Sequence, residues 1–202
     1  MKLYYLTGAC SLASYIALIE AGQKFEAYAV ERGTKKTADG KDFNTINPKG
    51  YVPALVLDDG SVLTENVAVL SYISTLDASG KLAPKIGTPG FFRVLEWLGY
   101  VNSEIHKPIG TLFRPTSTDD MKKAAREAAL MRLGHVEKTL GEKPYLTGEN
   151  FTVADAYLYV VLSWLGGLKV DISGMPKLVA YFERCRNRPS VQQARKDEGL
   201  PP

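Results

Sequence analysis

The sequence predicts an α/β domain followed by an all-α domain. Three observations lead there: strand-like and helix-like segments alternate from Lys2 to about Ile73, a run of small residues and breakers lies between Asp77 and Gly90, and strand signals vanish beyond it. At 202 residues, 45% hydrophobic and 23% charged, the chain can build two hydrophobic cores and lacks the composition of a disordered protein.

The first strand is Lys2-Leu3-Tyr4-Tyr5, followed by a Thr7-Gly8 turn. Ser11 to Ala21 then brings Leu12, Ile16, Ala17 and Ile19 near helical spacing, and Gly22 ends the helix as a C-terminal cap. Phe25 to Val30 reads as a second strand, parallel to the first because a crossover helix joins them. Ala54 to Leu57 and Ser61 to Leu63 flank Asp58-Asp59-Gly60, an antiparallel hairpin signal. Glu65 to Leu76 is helical again, with Val67, Leu70 and Ile73 on one side. The order βαβ, loop, ββα is the thioredoxin-like arrangement. It is assigned to residues 1–80, with a linker at 81–87 and a helical-bundle domain at 88–202. In that second domain Phe91 to Ile109, Thr118 to Leu140, Thr152 to Leu168 and Pro176 to Asn187 read as helices. Thr152 and Asp155 stand at capping-box spacing, with Phe151 ahead as a staple.

The net charge is +3, and the acidic and basic residues are interspersed, so no nucleic-acid surface is expected. The longest apolar stretch, Ala156 to Leu168, contains Ser163 and falls short of the roughly 20 residues of a membrane span. The N-terminus carries no signal-peptide pattern, and Cys10 and Cys185 suit free thiols in a reducing compartment, which together predict a cytoplasmic protein. Two cysteines and two histidines far apart offer no metal-ligand spacing, so no metal is expected.

Cys10 stands where the first strand gives way to the first helix. The positive end of a helix favours a thiolate there, and a lowered pKa marks a reactive cysteine; a small core residue is the bland alternative. Ala13 occupies the second position of a Cys-x-x-Cys pair, so any redox partner of Cys10 is an external thiol. On the long helix, Gly99, Ser103, His106 and Gly110 recur at steps of four, three and four and should share one small, partly polar face. His135 has no motif around it and reads as a surface residue.

Four ordered segments resemble the pattern of the bacterial beta-class glutathione transferases: Gly8-Ala9-Cys10-Ser11-Leu12, Asn47-Pro48-Lys49-Gly50-Tyr51-Val52-Pro53-Ala54-Leu55, Leu63-Thr64-Glu65-Asn66 and Phe151-Thr152-Val153-Ala154-Asp155-Ala156. The resemblance spans nearly the whole chain. It implies glutathione as co-substrate, conjugation of its sulfur to hydrophobic electrophiles, and a homodimer. It gives Cys10 and His106 catalytic roles, and glutathione contacts to Lys35, Val52, Pro53, Glu65, Asn66, Ser103, His106 and Lys107. Val52 would offer backbone bonds ahead of a cis Pro53, Lys35 would meet the glycine carboxylate, and Glu65 would accept from the γ-glutamyl ammonium. Taken alone, Pro53 is equally an ordinary strand-start proline, Glu65 a helix-start charge, and Lys35 a solvated loop residue.

Three departures from the pattern bear on the site. Gly99 replaces a common Asn that reaches toward the partner subunit's glutathione, Pro108 threatens a kink that moves His106, and Ala13-Ser14-Tyr15 stands where relatives often carry Ser-Pro-His, at the expected pocket mouth. A glutathione-dependent thiol–disulfide oxidoreductase and a non-catalytic binder of glutathione or apolar ligands are the alternatives.

Overall fold

The computed structural model describes residues 1–201; Pro202, the last residue of the expected helical domain, lies outside them. Four strands form one mixed sheet in the order β2-β1-β3-β4: β1 is Lys2–Tyr5, β2 Glu26–Ala29, β3 Ala54–Val56 and β4 Val62–Thr64. β1 pairs in parallel with β2 and antiparallel with β3, which puts Leu3 beside both Ala27 and Leu55. Alternation along β1 sends Leu3 into the main core and Tyr4 to the opposite face, where it packs with Val30, Phe43 and Ala54.

The parallel pairing requires a crossover, which is α1, Leu12–Glu20. Its end is a Schellman motif: Gln23 N–H reaches Leu18 O at 3.0 Å and Gly22 N–H reaches Ile19 O at 3.0 Å, with Gly22 at φ 64°. The Asp58-Asp59-Gly60 turn closes through Gly60 N–H to Leu57 O at 3.0 Å. From β4 the chain runs directly into α2, Asn66–Thr75.

The remaining helices are α3 (Pro89–Tyr100), α4 (Lys107–Leu112), α5 (Asp119–Leu140), α6 (Val153–Ser163), α7 (Pro176–Arg186) and α8 (Pro189–Asp197). Every residue of α6 from Val153 to Leu162 is buried, as a helix apolar on all sides must be. The expected capping box is present: Asp155 Oδ2 accepts from Thr152 N–H at 2.8 Å. α1 packs on α2, α6 and α8, so the sheet unit and the helices share one continuous core. Arg188 adds a polar tie, donating from Nε and Nη2 to the two carboxylate oxygens of Glu20 at 2.7 and 3.0 Å.

Three sequence expectations are corrected. The helix read as Phe91 to Ile109 contains a π-helical segment, Val101–His106, between α3 and α4. Pro108 cannot donate its share of the α-helical ladder, and the wider turn lies immediately before it. His106 and Lys107 nonetheless keep helical dihedrals, at −61°, −46° and −61°, −49°, so the proline does not drive them out of the helical region. The apolar run read as helix to Leu168 stops at Ser163, and α8 follows α7 after a short break that the sequence reading passed over. Among the described residues, no helix is long and apolar enough to cross a membrane.

Candidate active site

A cavity of about 540 Å³ opens between the helical unit and the sheet edge formed by the ends of β1, β2 and β4 and the start of β3. Cys10, Lys35, Val52, Pro53, Glu65 and Asn66 line it from the sheet side, and Asn102, His106, Phe113, Tyr157 and Trp164 from the helical side.

The sheet side is built by three irregular backbone stretches. The Val52–Pro53 peptide bond is cis. Asn47 shapes the approach to it, donating from Nδ2 to Tyr51 O at 2.6 Å and accepting from Lys49 N–H at 3.2 Å. Glu65 precedes α2 with φ 70° and ψ 122°, a strained conformation for a residue with a side chain that costs about 1–3 kcal/mol and tends to mark functional sites. It turns the chain abruptly from β4 into α2, so the unpaired N–H groups of the α2 start open at the cavity, where an anion is favoured. The Glu65 carboxylate meets Lys49 Nζ at 2.9 Å with both side chains exposed, leaving it reachable by a second cation. Asn66 is buried: Nδ2 donates to Cys10 O at 3.0 Å, and Oδ1 accepts from Ser14 Oγ at 3.0 Å. Its side chain thus braces the start of α1 against the start of α2. Lys35, at φ 59°, donates to Gly50 O at 2.7 Å on the cavity rim.

Cys10 contradicts the thiolate expectation. Burial pushes its thiol up to about 11, outweighing the lowering by the backbone N–H groups of Cys10 and Ser11. The helix start is present, but Cys10 is half-buried at the cavity wall, and its sulfur donates to Val52 O at 3.5 Å. At pH 7 a thiol raised in this way is protonated and can donate a hydrogen bond. Cys185 is also a free thiol, fully buried on α7.

The helical side carries a polar chain that sequence reading missed. His106 Nδ1 lies 2.7 Å from Tyr157 Oη, and the Tyr157 hydroxyl donates to Asn102 Oδ1 at 2.9 Å. Burial lowers His106 to about 4, so its ring is neutral at pH 7. Trp164 and Phe113 meet edge-on at 5.6 Å and give this side an apolar wall. Nothing in the local sequence distinguishes Tyr157 or Trp164 from core aromatics; the general signal is that a buried tyrosine hydroxyl or indole N–H needs a hydrogen-bond partner.

The cavity gathers Cys10, Lys35, Val52, Pro53, Glu65, Asn66 and His106 but leaves out Ser103 and Lys107. Both are exposed, and Ser103 Oγ turns back to Gly99 O at 3.0 Å. The reading of Gly99, Ser103, His106 and Gly110 as one face assumed α-helical periodicity; through the π segment Asn102 joins His106 at the cavity instead. Ser14 and Tyr15 do not form the pocket mouth either. Tyr15 is buried edge-on against Tyr5 and Phe25, and Ser14 is spent on Asn66. His135 is exposed, as expected, and lies over Trp97 at 6.3 Å between ring centroids. Among the described residues, no group of His, Cys, Asp and Glu is gathered to hold a metal ion.

Two family models match the chain: the glutathione S-transferase N-terminal domain over residues 8–76 and the glutathione S-transferase C-terminal domain over residues 97–189. Among similar proteins, glutathione S-transferase GstA of Escherichia coli O157:H7 is 39% identical over 200 residues, covering 99% of this chain and all of that one. A sphingomonad glutathione S-transferase solved in complex with glutathione superposes with a TM-score of 0.95 at 44% identity, both chains covered completely. A bacterial beta-class glutathione S-transferase of Sphingomonas chungbukensis gives 0.95 at 46% identity, again over 100% of both chains.

Proposed function

The chain belongs to the glutathione S-transferase family, and we propose that it joins the sulfur of glutathione to small hydrophobic electrophiles in the cleft between its sheet and helical units. The observation that carries this reading is the cavity itself, which collects Cys10, Val52, Glu65 and Asn66 from one unit and His106, Tyr157, Phe113 and Trp164 from the other. Glutathione is a zwitterion with a second carboxylate and a central thiol. The exposed Glu65 carboxylate suits its ammonium, the start of α2 suits the γ-glutamyl carboxylate, and Lys35 at the rim suits the glycine carboxylate. Val52 would pair with the peptide backbone, Pro53 would hold that strand start in place, and the sulfur would meet Cys10 and His106. The aromatic wall of Phe113 and Trp164 would take the electrophile.

On this reading residues 1–80 are the glutathione-binding domain, 81–87 the linker and 88–202 the domain that shapes the electrophile pocket. The sulfur forms a bond to the electrophilic carbon, the leaving group departs with its electron pair, and the thiol proton passes to solvent. A neutral Cys10 thiol acts by donating a hydrogen bond to the glutathione sulfur, which favours conjugation over the thiol–disulfide alternative. Exposed Phe92 on α3 and exposed Met121 and Met131 on α5 support a homodimer that covers them. The two free thiols support a cytoplasmic setting. Calorimetry with glutathione, together with turnover of an aryl chloride bearing nitro groups, tests the proposal. Saturable binding with formation of the thioether is expected, and no heat of binding at millimolar glutathione would overturn it.

A further inference from the structure

The polar chain at the helical wall fixes more than a contact. Asn102 Oδ1 can only accept a hydrogen bond, so the Tyr157 hydroxyl, 2.9 Å away, spends its one proton there. The phenolic oxygen is then an acceptor toward His106 Nδ1, 2.7 Å away. An unprotonated ring nitrogen at that distance would set lone pair against lone pair, so the ring carries its hydrogen on Nδ1.

We infer that Asn102 and Tyr157 are positioning residues that lock His106 in its Nδ1–H tautomer and so offer an Nε2 lone pair to the thiol of glutathione. This rests on the functional reading above, which supplies the thiol. Three features make the lock firm. Tyr157 is fully buried on α6, the most enclosed helix, so its hydroxyl has a fixed origin. The Trp164 ring lies 5.0 Å from the His106 ring, centroid to centroid, and limits its rotation. Asn102 and His106 sit four residues apart in the π segment, on the side that faces Tyr157.

The tautomer sets the chemistry. A neutral Nδ1–H ring accepts at Nε2, so it binds the thiol S–H and does not donate to a thiolate. It does not deprotonate resting glutathione, because a thiol near 8.5 facing an imidazole near 4 makes that transfer uphill by roughly four powers of ten. As a sulfur lone pair forms the bond to carbon, the S–H proton becomes strongly acidic. The S–H bonding pair then returns to sulfur, Nε2 takes the proton, the leaving group departs with its own pair, and the imidazolium releases the proton to water.

Nitrogen-15 NMR of the histidine rings in glutathione-free protein tests the inference, with a His135→Asn variant assigning the two histidines. Wild type should show His106 Nδ1 protonated and Nε2 unprotonated at pH 7. Asn102→Leu should free the Tyr157 proton to donate to Nδ1 and move His106 to the Nε2–H tautomer. Tyr157→Phe should leave a mixture, with kcat for conjugation lowered at least 10-fold and the Kd of glutathione within about twofold. An Nε2–H ring in wild type, or an unchanged tautomer in Asn102→Leu, overturns the inference. Because the tautomer is read without ligand, a wild-type protein that shows Nδ1–H yet binds no glutathione overturns the functional reading and the thiol as recipient, but not the lock.

Discussion

The Glu198 carboxylate accepts the backbone N–H of Gly8 at 2.8 Å, joining positions 190 residues apart in sequence. On the other side of the same residue, Trp164 Nε1 donates to Gly8 O at 2.8 Å. Gly8, at φ 69°, is where the chain turns from β1 toward Cys10, and a Cβ there would meet Leu200 at 3.4 Å. The helical unit therefore holds both backbone polar groups of one residue, Gly8, in the loop that presents Cys10, and the docked C-terminal segment supplies one of those two contacts.

That grip is pH-dependent. Burial raises Glu198 from 4.5 to about 7, and its Oε1 is buried with no partner. Below about 4.5 the carboxyl is protonated in both folded and unfolded chains. Between 4.5 and about 7 the unfolded chain releases the proton while the folded chain keeps it, so this contribution to stability is lost as pH rises and levels off above 7. Glu198→Gln keeps an oxygen for Gly8 and removes the titration. The variant should be more stable than wild type at pH 8, by on the order of 2 kcal/mol, and equal to it at pH 4.5. Urea unfolding at the two pH values measures this, and an equal offset at both would contradict it.

Cys10 should resist alkylation at neutral pH. With its thiol pushed up to about 11 by burial, the thiolate fraction at pH 8 is smaller than that of an ordinary cysteine by roughly 100-fold. Iodoacetamide modification of the Cys10 peptide, followed by mass spectrometry against pH, should show a midpoint far above that of a free thiol. A midpoint below 8 would restore the helix-start thiolate.

Asp155 is fully buried and accepts from Leu146 N–H at 2.9 Å, Thr152 N–H at 2.8 Å, Thr152 Oγ1 at 2.7 Å and Tyr181 Oη at 3.0 Å. It caps α6 and ties the preceding loop and α7 to it. Asp155→Ala should cost about 3 to 5 kcal/mol, since several buried donors lose their partner at once. Asp155→Asn should cost less. Thermal unfolding reads the difference, and a drop of under 1 kcal/mol in the alanine variant would mean that water replaces the carboxylate.

Legibility in the sequence follows the range of the cause. The Gly22 stop, the Asp-Gly turn and the Thr152–Asp155 box are decided within a few residues, and each formed where the pattern put it. The two-unit order was readable because strand and helix periods differ. What escaped depends on groups far apart in the chain. The charge of Cys10 was read from its helix start, whereas desolvation at the cavity wall outweighs it. Ser103 shares an α-helical period with His106 that the π segment breaks, Lys107 rested on the resemblance alone, and Asn102 belongs to none of the motifs that carried it, yet it is Asn102 that lines the cavity beside His106. Tyr157 and Trp164 look like core residues until their polar atoms are seen to meet His106 and Gly8.

Glu65→Ala should weaken glutathione binding by about 1.5 to 3 kcal/mol, the usual loss when a charged hydrogen-bond partner is removed. Folding should change little, because the Lys49 pair it also breaks is exposed on both sides and contributes at most about 1 kcal/mol. Calorimetry and thermal unfolding of the same preparation separate the two. Unchanged glutathione affinity would remove Glu65 from the site.

Cys10 and His106 should prove coupled through one sulfur. A neutral Cys10 thiol donates and a neutral His106 ring accepts, so bound glutathione would be held between a donor on α1's approach and an acceptor on the π segment. Cys10→Ala and His106→Ala should each lower kcat/KM for conjugation, by about 10-fold or more, the value of one hydrogen bond to a charged or developing charge. In the double variant the two losses should not multiply, because once the sulfur has lost one partner it is free to turn and the second contact is already weakened. The expected coupling is about 0.5 to 3 kcal/mol. Glutathione Kd, measured alongside, must stay similar across the four proteins for the comparison to report on the sulfur. Losses that multiply fully would place the two residues on separate steps, and full turnover in both single variants would leave neither with a role in the chemistry.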